Sequence, residues 1–135
     1  MLENSILETW RVRKFSESNF YRLEESISVS FEHSRQLGGR SSYAYVEFAC
    51  QPASVLEFRS SADWDSEWSE KFENAIVESL VDSLITTFYP YCGCIVDLVA
   101  VKSDLVNSSE HSFYDATAGA MKVLVADGKW KLEVR

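Results

Sequence analysis

Cations are the minority in this chain: 13 Lys and Arg stand against 21 Asp and Glu, for a formal net charge of −8. Proteins that live on phosphate neutralisation are basic over at least one face, so wholesale nucleic-acid binding is excluded and only a local cationic tip remains open. Such a surplus of acid suits solubility and a basic partner surface. Histidine is scarcer still, with His33 and His111 at no metal-binding spacing. The three cysteines are an odd set that fits reduced thiols. Cys92 and Cys94 are too close for an unstrained disulfide, and no second pair completes a zinc site. No metal and no cofactor is therefore expected. No apolar run approaches the roughly 20 residues of a membrane span. The opening "MLENSILETW" lacks the apolar centre of a secretory signal. The expected location is the cytoplasm, away from membranes.

Catalytic signatures are missing too. No glycine-rich G-x-x-x-x-G-K-[ST] loop is present to cradle a nucleotide, and no G-x-S-x-G elbow to present a serine. The acidic stretches "DWDSEWSE" and "RLEES" hold paired carboxylates. The first reads as a solvated helix start, where negative charge meets the helix dipole favourably. No enzyme is expected.

What is present is patterned. At 135 residues with 46% hydrophobic content, residues 1–135 form one globular domain. Alternation marks strands at Glu8–Phe15, Ser26–His33 and Tyr43–Cys50, the last with Val46, Phe48 and Cys50 as its inner row. Leu56 and Phe58 suggest a short strand. Phe72, Ile76, Leu80, Leu84 and Phe88 recur at helical spacing behind an Asp65 or Ser66 cap, and Tyr89-Pro90 stops the helix. "IVDLVAV", Ile95–Val101, reads as a central strand. In "NSSE", Asn107 is spaced as an N-cap and Glu110 as the third helical residue of a capping box. Asp127-Gly128 turns the chain into the last strand, "KWKLEVR". The order predicts an α+β fold, a single β-sheet covered by two helices. Val99 and Val101, with Ala49 across the sheet, suggest an outward apolar patch.

The stretch "RQLGGRSSYAYVEF", Arg35–Phe48, places a two-glycine turn between flanking arginines. Gly38 and Gly39 serve the turn as backbone, since glycine adopts positive φ without steric cost. Exposed turn amides beside guanidiniums also make a small anion-binding edge. Tyr43 and Tyr45 are the aromatic rings nearest that edge, where either would stack on a base.

Together with "YRLEESI", "GCIVDL" and "DLVNSSEHSFYDATAGA", this stretch resembles domain IV of translation elongation factor G, in one order from about residue 19 to 125. Segments 1–18 and 126–135 flank that core as strands. The resemblance implies the ribosomal protein S5 domain 2-like fold, whose β-α-β crossover is left-handed against the usual rule. It further implies two tip loops that reach the decoding centre of the small ribosomal subunit. Arg35, Gln36, Gly38, Gly39, Arg40 and Tyr43 match the first loop. Asp104, Asn107 and Ser108 belong to the second, whose helix start continues into Ser109 and Glu110. The family's G-Q-Y-G-H is Ser41-Ser42-Tyr43-Ala44-Tyr45 here, and Asp104 replaces a tip histidine with a negative charge aimed at RNA. The expected function is a stand-alone, non-enzymatic module that binds the ribosome or a structured RNA in translation. The alternative is a protein-interaction module that kept the fold, lost the ribosome and takes a basic protein partner. Nothing in the sequence sets the oligomeric state.

Overall fold

A computed structural model describes residues 19–37, 40–64, 67–104 and 106–134. The elements are β1 (Phe20–Leu23), β2 (Ile27–Leu37), β3 (Arg40–Pro52), β4 (Glu57–Ser60), α1 (Ser69–Leu84), β5 (Cys94–Lys102), α2 (Glu110–Asp127) and β6 (Trp130–Glu133). The strand expected at Glu8–Phe15 and the cap expected at Asp65 or Ser66 lie outside the described residues.

The α+β class holds, but the single sheet does not. A four-stranded sheet runs β2-β3-β5-β4, and a separate two-stranded sheet pairs β1 with β6. The reason is that β3 and β4 already occupy both edges of β5. β1 therefore meets the chain just ahead of β5, through one bridge between Arg22 and Gly93. There the Gly93 carbonyl accepts from Leu23 N–H at 3.1 Å and from Ala53 N–H at 3.2 Å. A Cβ on Gly93 would lie 2.5 Å from Arg22 Cα, so only glycine permits this approach.

In the larger sheet β2 and β5 are antiparallel to β3, whereas β4 is parallel to β5 and reached through α1. One face supplies the core: Ala44, Val46, Phe48 and Cys50 from β3, with Cys94, Val96 and Leu98 from β5. Against it lie Ile76, Leu80 and Leu84 of α1 and Phe113, Ala120 and Leu124 of α2, all fully buried. Each such leucine or phenylalanine stabilises the fold by about 1.5–3 kcal/mol through lost water contact. Trp64 joins by packing tilted on Phe72 and edge-on to Phe113, with ring centroids 5.9 and 5.3 Å away. Gly119 leaves room on α2 for the Phe31 ring of β2.

Three local expectations change. Helix α1 stops at Leu84, not near Phe88, because Thr86 and Thr87 turn their hydroxyls onto the carbonyls of Asp82 and Leu84. Phe88 is left 85% exposed. On β5 the register slips opposite Glu47 and Phe48, where Val99 is the extra residue of a bulge. Val101 consequently packs against the core, and the expected outward patch loses it. At the second helix, the cap shifts from Asn107 to Ser109. Among the described residues, no helix is long and apolar enough to cross a membrane.

Candidate functional site

The long hairpin carries the first loop. β2 and β3 stay paired up to Leu37↔Arg40, past Arg35↔Ser42 and Gln36↔Ser41. Gly38 and Gly39 lie outside the described residues. Arg35 and Gln36 are exposed. Arg35 makes no salt bridge among the described residues.

The second loop, between β5 and α2, folds around Asp104. Its carboxylate accepts from Val106 N–H at 2.9 Å and from the Asn107 side-chain amide at 2.9 Å. The Asp104 N–H donates to Ser108 Oγ at 2.7 Å, and the Ser108 N–H returns to the Asp104 carbonyl at 3.0 Å. The Val106 amide first, and then the Asn107 side chain, hold the Asp104 carboxyl below its ordinary pKa. These bonds tie the Asp104 carboxylate to its own loop while the residue stays exposed beside the hairpin.

The second loop is bonded to strand β3 of the hairpin. Tyr43 N–H donates to the Asn107 carbonyl at 3.1 Å, and Ser108 Oγ donates to the Tyr43 carbonyl at 2.6 Å. Ser41 Oγ donates to Asn107 Oδ1, and Ser42 Oγ lies 2.8 Å from Ser112 Oγ. Asn107 is thus the joint between hairpin and loop, while Ser109 and Ser112 make the reciprocal capping box and Glu110 stands in the first turn. "NSSE" offers several cap registers of similar quality, and only the tertiary bonds of Asn107 select one.

On the open face of the sheet, the Tyr43 hydroxyl donates to Glu32 at 3.3 Å. Partial burial and then the Glu32 charge raise its pKa. Tyr45 donates to Glu47 at 2.9 Å, and Lys102 Nζ sits 5.0 Å from the Tyr45 ring centroid. On the opposite face, His33 Nε2 lies 3.1 Å from Ser42 Oγ. The same nitrogen is 3.9 Å from Asp115, which also faces His111 at 3.4 Å. A serine hydrolase needs the carboxylate on the other ring nitrogen, so this cluster is not a triad. Among the described residues, no group of three His, Cys, Asp or Glu is placed to hold a metal.

Beside Tyr43 a groove of about 1440 Å³ opens between the start of α1, the end of β5 and the start of α2. Sequence reasoning missed it. Trp64 and Trp68 both bracket the helix start, but Trp64 is drawn into the core and Trp68 stays 47% exposed on the groove wall. Two tryptophans four residues apart carry no mark of which one is buried.

No protein-family model matches the chain, and no curated protein does. Among solved structures, a crystal structure of a protein from Thermus thermophilus matches with a TM-score of 0.70 at 21% identity. The match covers 84% of this chain and 18% of that protein, so the chain spans less than a fifth of its length. The likeness establishes a shared fold and nothing about activity.

Proposed function

We propose that this chain is an elongation factor G domain IV-like module of the cytoplasm. It binds the ribosome or another structured RNA through its hairpin tip, in translation and without catalysing a reaction. The observation that carries the reading is the bonded junction of Tyr43 with Asn107 and Ser108, which joins the loop after β5 to strand β3 of the hairpin. Arg35, exposed and without an ion pair among the described residues, contacts phosphate there. Arg40 shares that role, and Tyr43 stacks. Two phosphate contacts give weak binding whose logarithm falls with the logarithm of salt at a slope of about −2.

Co-sedimentation with small ribosomal subunits at low and moderate salt tests this. Arg35→Glu/Arg40→Glu abolishes pelleting of the wild-type kind; equal pelleting of variant and wild type removes the RNA reading. A protein-interaction module that lost the ribosome is the second reading, favoured by the Glu32, Asp104 and Glu110 carboxylates around the tip. It is supported if neither protein pellets while a basic partner does bind.

A further inference from the structure

We infer that the groove beside the tip is a docking channel for an extended, arginine- and lysine-rich protein segment. This inference does not rest on the RNA reading. Size is the first argument. At about 1440 Å³ the groove exceeds the roughly 300–1,000 Å³ of a typical small-molecule site, and its open shape suits a length of peptide.

Charge is the second. The lining includes the carboxylates Asp63, Glu67, Asp104 and Glu110, against the ammonium groups of Lys71 and Lys102. Both lysines are already taken up by rings: Lys71 Nζ is 4.9 Å from the Trp68 centroid, and Lys102 lies over Tyr45. Asp63, Glu67 and Glu110 make no salt bridge among the described residues. A nucleic-acid strand entering here would meet like charge, whereas a basic segment meets its complement, with a faster encounter and a fixed register. The third argument is Trp68, half-exposed on the wall, whose ring face is shown by Lys71 to accept a cation. An incoming guanidinium displaces the Lys71 ammonium from that ring, and Glu67 lies on the same wall to pair with it.

The probe is a fluorescently labelled decapeptide of alternating arginine and serine, followed by anisotropy. Controls are the same peptide with glutamate for arginine and a ten-nucleotide oligouridylate. Asp63→Asn/Glu67→Gln and Trp68→Ala each weaken the arginine peptide about tenfold. Glu78→Gln/Glu133→Gln, equal in charge change but away from the groove, alters affinity less than twofold. In the wild-type protein the Trp68 indole N–H resonance shifts on titration, a readout that survives if a variant fails to fold. Arg35→Glu/Arg40→Glu leaves peptide affinity intact, which separates this site from the tip. Equal weakening by both carboxylate pairs, an unmoved Trp68 resonance, or tighter binding of the oligouridylate overturns the proposal.

Discussion

Tyr43 and Ser108, 65 positions apart in sequence, are joined by a hydrogen bond of 2.6 Å from the serine hydroxyl to the tyrosine carbonyl. Together with the bond from Tyr43 N–H to Asn107 it stitches the start of α2 onto the hairpin. Loop and hairpin are therefore one body built from two distant segments.

Ser108→Ala removes that stitch and the acceptor for the Asp104 N–H. The expected cost is about 1–2 kcal/mol, since the Tyr43 carbonyl is left short of a donor. Urea unfolding measures the loss. Amide exchange at Asp104 quickens in the variant even under native conditions, because the loop opens locally before the core does.

Gly119→Ala sets two effects against each other. Alanine favours the helix by about 1 kcal/mol over glycine, yet its Cβ would stand 2.7 Å from the Phe31 ring. Phe31 sits on the surface edge of the core at 36% exposure, so the ring swings out and its packing is lost. The single variant is destabilised. The double variant Phe31→Ala/Gly119→Ala recovers the helix gain, with a coupling of about 0.5–3 kcal/mol in a double-mutant cycle.

Alkaline pH weakens the fold through its buried thiols. Burial pushes Cys50 from an ordinary 9.0 up to about 12, and raises Cys94 as well. In the unfolded chain these thiols ionise first. The stability they supply is thus complete below pH 9 and drains away between pH 9 and about 12. Cys50 alone steepens that limb by about 1.4 kcal/mol per pH unit. Urea midpoints measured from pH 8 to 11 fall less steeply for Cys50→Ala than for wild type.

Much of this fold was legible in the sequence wherever one side of an element is buried. The inner row Val46, Phe48 and Cys50 and the helix stripe Ile76, Leu80 and Leu84 are all buried as read. What escaped depended on contacts between distant segments. β1 is four residues long, too short for alternation to show, and it is held by partners far along the chain, β6 and the Pro90–Gly93 segment. The split into two sheets hangs on which strands already flank β5, a matter of topology that no local pattern records. At the site, the hairpin and loop residues were singled out by resemblance and by turn chemistry. The roles of Asn107 and Asp104 were not, since both are decided by partners in loop and hairpin. The groove was invisible because its walls come from three separate places in the chain.

The bulge at Val99 has a consequence for where the loop at Asp104 lies. All pairing partners on either side of it, Phe48 with Leu98 and Glu47 with Ala100, are satisfied without the extra residue. A bulge bends its strand and deepens the local twist. Val99 therefore bends β5 just before it runs into the loop at Asp104, and shortening the strand by that one residue would shift Asp104 and Ser108 against their partner Tyr43 on β3.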